Sequence, residues 1–157
     1  MKAQTMLSLI VTGMLLSGYQ AYGAQGTGRA IMKVVTAVAV TNVSDLVFTE
    51  AAAGSAAETV DADNAETVQN ASFDITGEPN KAIMVTLPTD GTVKMVTAGG
   101  GSADTEIAVD TFTSNAPTTI DASGTTPLYV GATRATLSGT QTAGDYEGDF
   151  TVDVVYQ

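Results

Sequence analysis

The sequence contains no cysteine and no histidine among its 157 residues. Without cysteine the chain forms no disulfide framework, offers no thiol nucleophile and cannot build a cysteine-ligated zinc site. Without histidine it lacks the side chain that most often acts as a general base near neutral pH. The two absences argue against an ordinary enzyme, so we expect no catalytic residue, no metal site and no cofactor.

Positive charge is also scarce. The sequence has 6 Lys and Arg residues against 17 Asp and Glu residues, which gives a formal net charge of −11 at pH 7. A surface with this balance repels the phosphates of nucleic acids and the headgroups of anionic lipids. We therefore expect no nucleic-acid partner, and we interpret the charge as a soluble, self-repelling surface.

The first 23 residues have the parts of a secretory signal peptide. Lys2 supplies a positive charge, an apolar run covers residues 6–16, and the small residues Ala21 and Gly23 precede a predicted cleavage before Ala24. The apolar run is shorter than the roughly 20 residues that a membrane-spanning helix needs, and no later run approaches that length. The sequence thus predicts an exported protein that does not span a membrane and that has chain enough for one domain.

After the signal, short segments rich in Val, Ile, Thr and Phe alternate with clusters of Gly, Asn, Asp and Pro. This pattern predicts an all-β domain of the antiparallel sandwich type. We interpret the alanine-rich and acidic residues 51–69 as an exposed connection, and residues 97–104 as a flexible glycine-rich loop. The predicted strands are residues 29–41, 45–49, 71–76, 82–87, 91–96, 106–113, 127–130, 133–138 and 145–156.

The last fourteen residues, GDYEGDFTVDVVYQ, have two contrasting faces in an extended conformation. The odd positions are acidic or polar except for Val155, so only the other face suits a core. Because the sequence stops soon after this strand, we expect an exposed apolar edge, which is a template for pairing with another chain. The face that suits the core carries Gly144, Tyr146, Gly148, Phe150, Val152, Val154 and Tyr156.

These residues resemble the C-terminal strand of chaperone–usher pilus subunits, which has a penultimate Tyr, alternating apolar residues before it and a Gly fourteenth from the end. Tyr156 is penultimate and Gly144 is fourteenth from the end. The alternating apolar places and the final residue of the motif are Phe150, Val152, Val154 and Gln157. More loosely, the whole mature chain is similar by pattern to a bacterial envelope domain family of unknown function.

The resemblance to pilus subunits implies a fold and a mode of assembly. It implies a cysteine-free, non-classical subunit with an immunoglobulin-like antiparallel β-sandwich that lacks one strand, which leaves a groove beside the C-terminal strand. A periplasmic chaperone fills that groove first, and an outer-membrane usher takes part in assembly. The N-terminal extension of an identical or related subunit then completes the fold by donor-strand exchange. The expected product is a fimbria at the cell surface or outside it that serves adhesion or biofilm formation.

Residues 24–36 have the features that a donated strand needs. Gly26 and Gly28 provide a flexible start. The even-numbered positions from 30 to 34 are apolar, and Thr36 follows them. The opposite parity carries Arg29 and Lys33, whose charges cannot be buried unpaired without a large cost. The predicted donor residues are therefore Gly28, Ala30, Met32, Val34 and Thr36, ahead of a pilin-like domain over residues 37–157.

Two other functions remain open at this point. In the first, residues 29–40 fold back beside the C-terminal strand of their own chain, and the protein is a monomeric, self-complemented secreted or envelope module that binds a sugar or a protein. In the second, a secreted hydrolase uses carboxylates of the acidic face, such as Asp145 and Glu147. The predicted exposure of that face to solvent favours the interpretation as an ordinary charged surface.

An acidic loop resembles a calcium-binding loop in part. Asp61 and Asp63 have a suitable spacing, but Glu66 stands where such a loop requires a glycine and Ser72 where it ends in a glutamate. We interpret this segment as a solvated acidic loop and leave weak calcium binding open.

Overall fold

The computed structural model describes residues 23–97 and 99–157. The predicted signal peptide, apart from its last residue, lies outside these ranges. The chain divides into a unit that ends at Lys33 and a compact unit over Val34–Gln157. Residues 23–33 contain neither helix nor strand, and their side chains are exposed.

The compact unit consists of strands and loops, and the described residues form no helix that could span a membrane. Every pairing among the described strands is antiparallel. The predicted all-β, antiparallel class is therefore confirmed. The strands are β1 (Ala39–Ser44), β2 (Glu58–Val60), β3 (Ala71–Thr76), β4 (Ile83–Thr86), β5 (Val93–Val96), β6 (Glu106–Ser114), β7 (Thr125–Arg134) and β8 (Asp153–Tyr156).

The strands form two sheets. The larger sheet has the order β1-β3-β7-β6-β5, and the short β2 also pairs with β7. The smaller sheet contains only β4 and β8, with Ile83 opposite Tyr156 and Val85 opposite Val154. Consecutive strands β5, β6 and β7 are neighbours in the larger sheet, whereas β3 and β7 pair although they are far apart in the chain.

The main core lies where β3 and β7 meet the smaller sheet. Alternation in β3 turns Phe73 and Ile75 to this core, while Asp74 and Thr76 stay exposed. A smaller group, which we call the cleft-side cluster, consists of Val93, Val109 and Ala132 with half-buried neighbours. The main core consists of the buried residues Ala71, Phe73, Ile75, Ile83, Ile120, Leu128, Val130 and Val152.

Residues 127–130 and 133–134, predicted in two separate strands, belong to one continuous strand, β7, and residues 135–138 form no strand. Gly131 lies inside β7, where another part of the backbone approaches closely. A Cβ atom at this position would meet the carbonyl oxygen of Val60 and, at 2.5 Å, the amide nitrogen of Ala62. Glycine here lets β2 and the residues after it pack directly on β7.

The prediction that residues 51–69 are wholly exposed was wrong. This segment contains β2, and it buries Val60 and Ala62. A strand of three residues is too short to show a recognisable alternation in the sequence. β2 becomes evident only in the structure, through its pairing with β7.

Several predicted strands are shorter in the structure or not present. The strand predicted over 29–41 begins only at Ala39, and residues 45–49 follow β1 without forming a strand. The strand predicted over 145–156 is restricted to β8, although Glu147 forms an isolated bridge with Val96. Alternation indicates an extended chain, but a strand also needs a partner along its length.

Candidate functional site

A cleft of about 1290 Å³ opens beside the larger sheet. Part of its lining comes from residues 45–53, which follow β1 and which we call the first flank. Another part comes from residues 141–150, the second flank, which precedes β8. The remaining part, the base of the cleft, is mostly apolar and includes Phe73, Val93, Met95, Ile107, Val109 and Leu137.

The second flank is attached to the edge of the larger sheet. The amide nitrogen of Val96 donates to the carbonyl oxygen of Glu147 at 2.8 Å, and the amide nitrogen of Glu147 donates back at 3.1 Å. Gly148 makes this approach feasible, because a Cβ atom there would meet the carbonyl oxygen of Lys94. Backbone pairing and a glycine thus place the flank beside β5.

Gly144 begins the predicted C-terminal motif and lies in the second flank. Its φ of 152° is in the region that side chains disfavour, and a Cβ atom would lie 2.7 Å from Oγ1 of Thr97. Two independent constraints, backbone conformation and close packing, therefore explain the glycine at this position.

Tyr146 fastens the second flank to a neighbouring loop. Its hydroxyl lies 2.7 Å from the carbonyl oxygen of Thr142 and 3.0 Å from that of Asp104, and it accepts from Nε2 of Gln141 at 2.9 Å. The same Nε2 donates to the carbonyl oxygen of Asp104 at 3.0 Å. Tyr146 was predicted as a groove residue. The structure places it in the cleft lining, where its hydroxyl joins two loops.

Phe150 connects the cleft to the core. Its ring is 6.0 Å from that of Phe73 in an edge-to-face arrangement and 5.3 Å from that of Phe112. The side chain packs against both the main core and the cleft-side cluster. Of the predicted acceptor residues, Phe150, Tyr146 and Gly144 line the cleft.

The rest of the predicted acceptor motif lies elsewhere. Val152 is buried in the main core, and Val154 packs against that core from β8. The amide nitrogen of Gln157 donates to the carbonyl oxygen of Ala82 at 3.1 Å. The structure thus divides the C-terminal motif into a part that lines the cleft and a part that completes the smaller sheet.

Tyr156 belongs to the second part and holds the start of the compact unit. Its hydroxyl donates to the carbonyl oxygen of Thr36 at 2.7 Å and accepts from the amide nitrogen of Glu78 at 2.7 Å. Thr36 also donates from its amide nitrogen to Oε2 of Glu78 at 3.2 Å. Gly77 provides the space, since a Cβ atom there would meet the tyrosine hydroxyl.

The predicted donor residues lie in a segment that forms no strand. Residues 23–38 carry no assigned secondary structure, and Gly28 and Ala30 are exposed. The side chains of Met32 and Val34 are 82% and 77% exposed. Thr36, the last predicted donor residue, is instead bound to its own domain through Tyr156 and Glu78.

A buried ion pair lies at one end of the cleft and was not predicted from the sequence. Arg134 lines the cleft but is only 5% exposed, and its Nη2 is 3.4 Å from Oε2 of Glu58. Its guanidinium also donates to the carbonyl oxygens of Ala135 at 3.0 Å and Ala56 at 3.2 Å. The sequence offers one signal for this pair, since Arg134 is a charged residue at the end of a segment, β7, that otherwise resembles a buried strand.

Glu58 ties the first flank to this pair. Thr49 donates to Oε1 of Glu58 from its amide nitrogen at 3.0 Å and from its hydroxyl at 2.8 Å. Burial alone raises the pKa of Glu58, but the hydrogen bonds from Thr49 and Arg134 and the charge of Arg134 outweigh it. The pKa therefore lies below its ordinary value of 4.5.

The loop that resembles a calcium site is organised by an asparagine. Nδ2 of Asn70 donates to the carbonyl oxygens of Ala62 at 2.7 Å and Ala65 at 3.0 Å. Its Oδ1 accepts from the amide nitrogen of Thr67 at 2.8 Å, and the residue is fully buried. Within residues 23–97 and 99–157, no group of three or more acidic, His or Cys side chains is placed to hold a metal ion.

Comparison with protein families gives a match that covers most of the chain. The family described as a domain of unknown function, DUF4402, matches residues 38–156. The matched region contains β1 to β8 and both flanks of the cleft, and it begins after the predicted donor segment. No curated protein matches the chain, and no solved structure matches it.

Proposed function

The chain belongs to the DUF4402 family of domains of unknown function, and for this member we propose a structural role as a subunit of a bacterial surface pilus. The subunit polymerises by donor-strand exchange, after export through the periplasm with a chaperone and an usher, and the fibre serves adhesion or biofilm formation. The open cleft with its apolar base is the observation that supports this role most directly.

The sheet topology is consistent with an immunoglobulin-like sandwich that lacks one strand. In the constant-type immunoglobulin fold, strands A, B, E and D form one sheet and strands C, F and G form the other. Here β1, β3, β7 and β6 follow one another in the larger sheet, and β4 and β8 form the smaller sheet. These positions correspond to A, B, E and D and to C and F, while no described strand takes the place of G.

In this proposal the cleft holds the missing strand G, beside the residues that lead into β8. Strand G normally pairs with F on the side away from C. The residues that lead into β8 form the second flank of the cleft, and the residues that continue from β1 form the first flank. An added strand would therefore run between continuations of the A and F strands and cover the apolar base.

Residues 24–36 supply a suitable occupant from a second copy of the chain. Thirteen extended residues span about 40 Å at roughly 3.3 Å each, which is longer than a typical strand. The side chains of Met32 and Val34 are largely exposed in the single chain. Burying each in the cleft of a neighbour contributes on the order of 1.5–3 kcal/mol, in addition to the backbone hydrogen bonds of a new strand.

The test is the formation of oligomers that survive SDS but dissociate on boiling. Surface material released by shear from cells that produce the wild-type chain should show a ladder of such oligomers, because dissociation requires opening a folded core. Met32→Asp should abolish the ladder, since the new carboxylate cannot be buried unpaired in the apolar cleft. Secretion and folding of the variant should be unchanged.

Val68→Asp is the matched control. Val68 is 92% exposed and lies outside both the cleft and the donor segment, so this variant introduces the same charge without touching the proposed contact. The proposal is wrong if wild-type surface material contains no heat-sensitive ladder, or if Met32→Asp and Val68→Asp give the same ladder.

A deletion separates the polymer from a self-complemented monomer. Removing residues 24–33 leaves the contact between Thr36 and Tyr156 in place. A pilus subunit that lacks this segment should fold with a chaperone or a supplied donor peptide and should not polymerise. A monomer completed by its own N-terminal strand should instead lose its fold. That result would favour the binding module.

A further inference from the structure

The entrance of the cleft is strongly acidic. Exposed carboxylates lie on both flanks, and the basic residue among the described lining residues, Arg134, is buried and paired with Glu58. An occupant of the cleft therefore meets an apolar base and exposed carboxylates on both flanks. The acidic lining residues are Asp45 and Glu50 on the first flank and Asp145, Glu147 and Asp149 on the second.

The donor segment has the opposite charge on one face only. Residues 24–36 contain no acidic residue, although the chain has 17 in all, and they contain two of its 6 basic residues, Arg29 and Lys33. These two lie on the same side of an extended chain, about 13 Å apart. Met32 and Val34 lie on the other side.

We infer that the occupant of the cleft is residues 24–36 of an identical chain, held in one register by Arg29 and Lys33, which lie outward between the acidic flanks. This inference rests on the proposed donor-strand exchange and adds the identity of the partner and the means by which its register is selected. The apolar face alone would accept many strands, whereas the charged face discriminates among them.

A shift by one residue shows how the register is selected. Because successive side chains alternate between faces, the shift would turn Arg29 and Lys33 toward the apolar base and Met32 toward the solvent. Both cations would then be buried without carboxylate partners. In the inferred register the same cations lie within reach of the flanks, where the interaction is partly solvated and sensitive to salt.

Opposite charges also accelerate the encounter. An anionic entrance attracts a cationic segment before contact, and this increases the association rate at low ionic strength. A donor segment with acidic residues on the same face would be repelled. The flanks therefore favour a second copy of this chain over a subunit whose extension lacks the two cations.

The experiment follows the reassembly of heat-dissociated oligomers of the secreted chain. Arg29→Glu/Lys33→Glu should form the SDS-resistant ladder at least tenfold more slowly than wild type at 50 mM NaCl, with the difference reduced severalfold at 500 mM. Adding Asp145→Lys/Asp149→Lys should restore most of the rate. Lys81→Glu/Val68→Asp, which makes the net charge more negative by three, against four in the donor variant, outside the cleft lining and the donor segment, should assemble at nearly the wild-type rate.

The outcomes separate this inference from the proposal on which it rests. If Met32→Asp prevents the ladder but the charge-reversed donor assembles at the wild-type rate and without salt dependence, donor-strand exchange holds and selection by charge is wrong. If the control double variant slows assembly as much as Arg29→Glu/Lys33→Glu does, net charge rather than the cleft is responsible and the inference is overturned. If wild type forms no ladder, both fail.

Discussion

The main core and the base of the cleft use neighbouring strands of one sheet, yet they are covered differently. Beneath β4 and β8, Ile75 and Leu128 are wholly inaccessible to solvent. On the cleft side, Ile107 and Val109 are buried by their sheet neighbours but also line an open space of about 1290 Å³. The difference teaches that one region is closed by the smaller sheet, whereas the other borders an open cleft, which is why we place the proposed donor strand there.

A matched pair of isoleucines gives the largest expected contrast. Ile75→Ala should lower the free energy of unfolding by about 4 kcal/mol, because it leaves a cavity in a closed core. Ile107→Ala should cost about 2 kcal/mol, since it enlarges a space that is already open and loses mainly the transfer contribution. Urea unfolding of the two variants measures the difference, and equal losses would mean that the two regions are packed alike.

The ion pair between Arg134 and Glu58 should have the next largest effect on the free energy of unfolding. Glu58→Gln should destabilise the fold by about 3 kcal/mol at pH 7, because it leaves the buried Arg134 without its carboxylate. The lowered pKa of Glu58 means that its contribution is present above about pH 4.5 and is lost as the pH falls through the lower folded value. Urea unfolding at pH 7 and at pH 3 should show the difference between wild type and variant shrinking at low pH.

Glu50→Gln is the control for this measurement, since Glu50 is exposed on the first flank. It should change stability by only a few tenths of a kcal/mol. A Glu58→Gln effect that stays constant between the two pH values would contradict the assigned role of its carboxylate.

The attachment of the second flank should show a smaller effect. Gly148→Ala forces the flank away from the carbonyl of Lys94 and should cost about 2 kcal/mol. Gly139→Ala, where an added Cβ would meet nothing within 4 Å, should be nearly neutral. Thermal unfolding compares the two variants, and a neutral Gly148→Ala would show that the flank is not held by its close approach to β5.

The hydroxyl of Tyr156 gives the smallest expected effect. Tyr156→Phe removes the hydrogen bonds to Thr36 and Glu78 and should cost about 1 kcal/mol. Amide hydrogen exchange should increase around residues 36 and 78. Tyr129→Phe is the control, because the hydroxyl of Tyr129 makes no hydrogen bond within the described residues and its loss should leave exchange there unchanged.

The residues that sequence reasoning placed correctly are those whose environment follows from local alternation. β3 has the predicted bounds, and β6 differs from its predicted range by a single residue. Gly144, Tyr146 and Phe150 line the cleft, and their role as acceptor-groove residues stays a prediction. Val152 and Val154 have the same alternation but lie in or against the main core. Periodicity tells which side chains point the same way and does not tell what they meet.

The sequence by itself determined the all-β class, because alternating apolar and polar positions suit only extended chains with one buried face. Only the tertiary structure decided where the C-terminal motif divides and why glycine is needed at positions 131 and 148. It also brought Arg134 into contact with Glu58, which is 76 residues away in the chain. The physical reason is that each of these features depends on a partner distant in the chain. Local pattern specifies the faces of a strand, and only the folded chain brings those faces to their neighbours.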